Sequence, residues 1–338
     1  ASSLSAQTAP YKASRLPDGH PDLQGTYDLA TMTPVERAKA QNATLTKDEA
    51  RKLEAVNAER SKRADEPISG DRSAPPVGGV GIGLGGGPGV GGYNRGWLDP
   101  GSSFTVVDGQ IRTSLVIDPQ DGHIPPYTAE AQKRIARQGS PNSDAAESNA
   151  PELETVAGAY DDPERRPLGE RCLLGFGSTS GPPALPDYFY NNLHQIVQTR
   201  DTVLILTEMV HDVRIVRMDS PHLPQTIRKW MGDSVGHWEG ETLVVDTTNF
   251  TDKTHFRGST GNLHVVERFT RAGPRSLIYR FTVEDPATWA KPWTGEFTWP
   301  LTDSHIYEYA CHEANYALAD ILSGARFREK EVSSKAGK

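Results

Sequence analysis

The sequence predicts an all-β core, an antiparallel barrel or a two-sheet sandwich, with a few peripheral helices and long loops. Three observations carry that prediction. From Leu185 onward, short runs rich in Val, Ile, Thr and aromatic residues follow one another closely. The turns between them, Arg200-Asp201, Asp219-Ser220-Pro221, Glu239-Gly240-Glu241 and Ala272-Gly273-Pro274, are short enough to join antiparallel neighbours. Trp230, Trp238, Trp289, Trp293 and Trp299 all lie in this half, supplying large side chains for a core or a barrel rim. About eight up-and-down strands would suit a closed barrel of the size that holds one small ligand.

Residues 1–43 are punctuated by proline and carry a turn signal at Pro17-Asp18-Gly19, which predicts an arm extended over the main domain. Thr46 to Arg63 are good helix formers, with Thr46 and Glu49 spaced as a capping box and few apolar positions, so this helix is expected to be exposed. Residues 73–92 are a glycine-rich, low-complexity loop. Gly81, Gly83 and Gly86 fit G-x-G-x-x-G literally, but prolines on both sides deny the strand and helix that a dinucleotide loop needs. Phe104–Val107 and Ile111–Ile117 form a hairpin turning at Asp108-Gly109, closed by a turn at Asp118–Gly122, and Thr128–Gln138 is a helix. Residues 139–168 read as a surface connection. Strands follow at His194–Thr199, Val203–Val210, Val213–Met218, Thr242–Phe250, Leu263–Thr270, Ser276–Val283, Gly295–Trp299 and Ile306–Ala310. The organisation is an N-terminal arm, helix and loop over 1–103, one β-rich domain over 104–330 and a tail over 331–338.

A balance of 36 basic against 44 acidic residues gives a net charge of −8, which argues against nucleic acid and anionic membrane surfaces as partners. No apolar run approaches the roughly 20 residues of a spanning helix, so membrane insertion is not expected. The chain starts at Ala1 with small polar residues like those that follow a removed export signal. In an exported protein its two cysteines, Cys172 and Cys311, favour one structural disulfide.

Chemistry enters through ionisable residues set in apolar strand runs. Leu204, Leu206, Glu208 and Val210 would share one strand face, as would Val265, Glu267 and Phe269, and Ile306, Glu308 and Ala310. Three glutamates inside a barrel would raise at least one carboxyl pKa toward neutrality and supply acid/base chemistry. The alternative is that each pairs with an arginine such as Arg214, Arg228, Arg268 or Arg280. Glu208 and His211 are the first-choice acid/base residues, with Tyr190, His194, Arg214, His264, Glu267 and His312 in support. Asn191, Asn192, Arg228, Trp238 and Trp293 are the candidate substrate-binding residues. No H-E-x-x-H or paired-cysteine motif occurs, so no cofactor is predicted, and a metal, for which Glu208, His264 and His312 could come together from separate strands, is not favoured.

The segments Leu16-Pro-Asp-Gly-His-Pro-Asp-Leu-Gln-Gly-Thr-Tyr27, Arg112-Thr-Ser-Leu-Val-Ile-Asp-Pro-Gln-Asp-Gly-His-Ile-Pro125, Gly232-Asp-Ser-Val-Gly-His-Trp-Glu-Gly-Glu-Thr-Leu-Val-Val-Asp-Thr-Thr-Asn-Phe250 and Tyr307-Glu-Tyr-Ala-Cys-His-Glu-Ala-Asn-Tyr316 resemble a large family of exported bacterial proteins, mostly of undescribed function, frequent in soil and aquatic Gram-negatives. The resemblance implies export to the periplasm and a lipocalin-like barrel, and it transfers no catalytic residues. The chain departs from the family pattern at His123, where arginine is expected, and in its glycine tract. The function expected is an exported enzyme using general acid/base chemistry on a carbohydrate or small oxygenated molecule. Elimination or isomerisation is favoured over hydrolysis because acid/base and oxyanion groups are plentiful. A non-catalytic ligand-binding barrel and a structural envelope protein are the alternatives.

Overall fold

Alternation at a period of two builds the core strands. In β11 (His264–Gly273), β12 (Ser276–Glu284) and β13 (Trp293–Thr302), the positions Val265, Glu267 and Phe269, then Leu277, Tyr279, Phe281 and Val283, then Trp293, Gly295, Phe297 and Trp299 are buried on one face. The computed structural model describes residues 11–64, 99, 101–138, 160–175, 181–186, 191–254, 256–313 and 315–336. The glycine-rich loop 73–92 and residues 139–159 of the surface connection lie outside the described residues.

Nine strands close into a barrel. In order around it they are β1 (Gly25–Asp28), β6 (Leu193–Gln198), β7 (Thr202–Thr207), β8 (Val213–Met218), β9 (Asp233–Glu239), β10 (Thr242–Thr248), β11, β12 and β13, which returns to β1. All neighbours are antiparallel except β8 and β9, which run parallel. A short strand, β5 (Val116–Asp118), adds to the start of β13, and β2 (Thr44–Leu45), β3 (Val106–Val107) and β4 (Gln110–Arg112) form a small separate sheet.

The local signals hold. Helix α1 (Lys47–Ala64) opens with the capping box: the Thr46 N–H donates to Glu49 Oε2 at 2.7 Å and the Glu49 N–H to Thr46 Oγ1 at 3.2 Å. Its Leu53 and Val56 are exposed, as expected. The β3–β4 hairpin turns at Asp108 and Gly109, both at positive φ. Helix α2 (Ala129–Gln138) is capped by Thr128, whose Oγ1 accepts the Ala131 N–H at 3.1 Å. Cys172 and Cys311 form a disulfide.

Four expectations are corrected. Residues 25–28, read as part of a covering arm, are a barrel stave, paired with β6 on one side and β13 on the other. Residues 233–239 are a strand that the sequence hides behind a lone Val235 and Gly236. The glycine is required there, because a Cβ would stand 2.8 Å from Val216 Cγ1 and 2.9 Å from Met218 Sδ. Residues 306–310 are not a strand, since the chain leaves the sheet after Thr302 and runs without regular structure to α3 (Ala317–Ala336), an exposed helix the sequence reading did not anticipate. In β7 the inward positions are Val203, Ile205 and Thr207, the opposite parity to the one predicted. Leu204 and Leu206 face outward, and a strand apolar on both faces does not declare its own parity.

Aromatic side chains occupy the interior. Tyr279 stands 4.6 Å, ring to ring, from Trp299, 5.0 Å from Phe269 and 5.6 Å from Phe297, and Phe281 lies 5.6 Å from Trp293. Each fully buried ring of this size contributes about 1.5–3 kcal/mol through the hydrophobic effect, so this packed column is a principal source of stability.

Candidate functional site

Three clusters of polar side chains hold most of the candidate residues, and they separate Glu267 from Glu208. Inside the barrel, Glu267 is fully buried and paired bidentately with Arg214: one arm closes on Oε2, while Arg214 Nη2 lies 2.9 Å from Oε1. The Tyr279 hydroxyl donates to Glu267 Oε1 at 2.7 Å and accepts the Ala184 N–H at 2.9 Å. Burial opposes the charge on Arg214, but the Glu267 carboxylate overcomes it and raises the guanidinium pKa. Burial, reinforced by the Glu267 charge, pushes the Tyr279 phenol well above its usual range. This set satisfies itself. Glu267 and Arg214 therefore form a buried ion pair, because a charge so deeply buried persists only with a partner.

The second place is the barrel rim where β1 ends and β6 begins. Asp28 pairs with Leu193 across these strands, and the Leu193 carbonyl also accepts the Glu208 N–H at 2.9 Å. Glu208 is not on a strand face. It opens the turn 208–212, is 5% exposed, and its Oε1 accepts the Tyr307 N–H at 3.1 Å. Within the turn, Val210 (φ 60°) and His211 (φ 47°) are successive left-handed residues. For a β-branched residue this conformation stores strain of about 1–3 kcal/mol, held by the surrounding contacts. Those contacts include the Thr207 N–H to Asp212 carbonyl bond at 2.9 Å and the His211 N–H to Glu208 carbonyl bond at 3.1 Å.

The turn presents Asp212, whose buried Oδ2 has no hydrogen-bond partner among the described residues. Burial pushes Asp212 up to about 6, against the opposing charge of His211. Burial also pushes Asp28 up to about 6, against the hydrogen bond from the Ala30 N–H, and the charges of Asp99 and Glu208 add to the rise. Asn192 is buried at the same rim, with its Nδ2 donating to the Asp99 carbonyl at 3.0 Å. His194, also buried, packs 5.5 Å from the Trp299 ring with Nδ1 3.3 Å from the Asn192 carbonyl. Asn191 precedes the strand by two residues, at φ 58°, and His211 is exposed. Tyr190 lies outside the described residues. Thus Glu208, His211, Asn191, Asn192 and His194 do come to one rim. The sequence reading missed Asp28, placed in the arm, and Asp212, visible only as the neighbour of His211.

The third place is the outer face of β9–β12, where carboxylates and imidazoles alternate. His222 Nδ1 lies 3.2 Å from Asp233 Oδ2 and its Nε2 3.0 Å from Asp246 Oδ1; Asp246 Oδ2 is 3.0 Å from His264 Nε2, and His264 Nδ1 is 3.8 Å from Glu284. The hydrogen bond to Asp246 raises the His264 pKa, with burial opposing and Glu284 adding to the rise. Burial works against the ionised Asp246, but its bonds to His264 and His222 hold it below the usual carboxylate range. His264 is therefore part of an outer relay, away from Glu208.

The other candidates take structural positions. Arg228 Nη1 donates to the Phe250 and Gly261 carbonyls at 2.9 and 2.6 Å, clamping a loop. Trp238 stacks on His20 at 4.9 Å, Trp293 is buried in the aromatic column, and His312 and Glu308 are exposed after the last strand. Among the described residues no three His, Cys, Asp or Glu side chains are placed to hold a metal ion. Comparison with protein-family models, curated proteins and solved structures finds no match. Any assignment of function therefore rests on this geometry.

Proposed function

We propose that this chain is an exported enzyme that handles protons at the barrel rim, with Asp28 and Asp212 as acid/base groups and Glu208 as a neighbouring carboxylate. The observation that carries the reading is the strained turn 208–212, which holds Asp212 half-buried, with one carboxylate oxygen unpartnered among the described residues, at the same rim as Asp28 and Glu208. Carboxyls titrating near 6 can both give and take protons near neutral pH. Asn192 supplies an amide nearby. With Asp99 and Glu208 close enough to Asp28 to raise its pKa, this part of the rim disfavours anions, so the substrate class is an uncharged oxygenated molecule such as a carbohydrate. Elimination or isomerisation fits best, since such steps need proton transfer and no activated nucleophile. Export is supported by the Cys172–Cys311 disulfide, a bond that persists in oxidising compartments.

The test is a panel of polysaccharides, glycosides and small phenolics incubated with wild type, Asp212→Asn and Asp28→Asn, followed by chromatography and mass spectrometry. Conversion by wild type, slowed about 100-fold or more in Asp212→Asn, is expected. An untouched panel would favour a second reading, a structural barrel, which the self-contained Arg214–Glu267–Tyr279 interior already supports.

A further inference from the structure

We propose that residues 303–313 are a strap, fastened by the Cys172–Cys311 disulfide, that covers Glu208 and comes away when that bond is reduced. Glu208 is a buried carboxylate at the end of a strand, and its Oε1 accepts the Tyr307 backbone N–H at 3.1 Å. Yet the segment that supplies this N–H buries little of itself. It has no regular structure, Tyr307 is 71% exposed, and Asp303, Ser304, His305, Glu308 and Ala310 are exposed as well. Hydrophobic packing of so open a segment contributes little to holding it down. The fastening lies instead at its far end. Cys311 is bonded to Cys172, and just beyond it Asn315 Nδ2 donates to the Glu170 carbonyl at 3.2 Å and lies 3.4 Å from Cys172 Sγ. With Thr302 fixed in β13 and Cys311 fixed by the disulfide, Tyr307 is tethered at both ends. The tether keeps its N–H at a high effective concentration beside Glu208.

Cys311 is partly exposed, so a small dithiol can reach the bond. Exchange breaks the Cys172–Cys311 bond, leaves two cysteine thiols and oxidises the dithiol to its own disulfide. The strap then loses its covalent tether at Cys311, while Thr302, the exposed Arg275–Asp303 ion pair at 3.0 Å and the Asn315 contacts stay in place. Glu208 becomes open to solvent. In terms of the proposed rim chemistry, which this inference extends, the strap withholds one of the rim carboxylates from any ligand until it is released.

The test requires no substrate, so its failure is separable from failure of the enzyme reading. Glu208 labelling by carbodiimide and glycinamide is followed by tandem mass spectrometry in oxidised wild type, in wild type reduced with dithiothreitol, and in Cys172→Ser/Cys311→Ser. Labelling about tenfold faster is expected in the reduced protein and in the double variant, the change that removing about 1.4 kcal/mol of closure produces. The fully buried Glu267 should stay unlabelled in all three, showing that the barrel is intact. Glu208 labelling at one rate in oxidised and reduced protein would overturn the proposal. So would simultaneous labelling of Glu267 on reduction, which would mean that the bond holds the barrel and not a strap. Should the double variant fail to fold, the oxidised and reduced wild-type comparison decides alone.

Discussion

Glu267 and Asp212 show how environment assigns opposite roles to two acidic side chains. Glu267 sits at the barrel centre with a bidentate arginine and a phenol donating to it, and removing one member of such a set strands the other charge. Glu267→Gln and Arg214→Met should each lower the unfolding free energy by about 3–5 kcal/mol, measured in urea, whereas Arg214→Met/Glu267→Leu should recover most of the loss. Asp212 Oδ2 has no hydrogen-bond partner among the described residues, and the sign of its effect is opposite. A carboxyl raised from 3.8 to about 6 by folding binds more protons in the native than in the unfolded state between those values, so it costs stability as pH rises through that window. Asp212→Asn should therefore stabilise the protein by about 1–2 kcal/mol at pH 7.5, allowing for partial solvent screening, and leave it unchanged near pH 3.5. Equal urea midpoints for wild type and variant at pH 7.5 would show that the carboxyl is not strained by burial.

At the scale of elements, the outer relay joins the 219–232 loop to three strands through His222, Asp246 and His264. A histidine whose folded pKa is raised contributes stability that is fully present below its unfolded value of 6.5 and disappears as pH rises through the folded pKa. Asp246, whose pKa is depressed, contributes above 3.8 and loses that contribution in acid. The relay is therefore strongest between these two values. Because the rings and the carboxylate are about one-third exposed, His264→Gln should remove only about 0.5–1 kcal/mol at pH 6 and progressively less above the folded pKa. Urea midpoints from pH 5 to 9 would measure it. Helix α1, by contrast, was legible to its first residue, since a capping box is a contact between residues three apart. Strand β9 was not legible, since Gly236 is explained only by the Val216 and Met218 side chains that crowd it from the adjacent strand.

For the whole molecule, the decisive element is the shortest stave. β1 has four residues and closes the sheet between β6 and β13, leaving no free edge at that seam. A chain lacking residues 1–28 would expose both neighbouring edges and the Tyr27 site in the core, and it should fail to give a monomeric folded species by size-exclusion chromatography and circular dichroism. A chain lacking only residues 1–10 should fold normally, and an equally well-behaved 29–338 chain would show that β1 is an accessory.

What the sequence determined by itself was whatever depends on near neighbours. Alternation in β11–β13 specified an all-β core, Thr46 and Glu49 the start of α1, Asp108-Gly109 the hairpin, and a count of two cysteines their pairing. Only the tertiary structure decided which charges meet. Arg214 reaches Glu267 across 53 positions of sequence, and Glu208 acts on the Asp28 carboxyl only because β1 completes the barrel beside β6. In β7 both faces are apolar, so its inward side was set by pairing with β6 and β8. Turn chemistry, caps and alternation act over a few residues and are written in the chain. The pKa of a carboxyl and the partner of a buried charge depend on the register of distant strands, and that register exists only once the barrel closes.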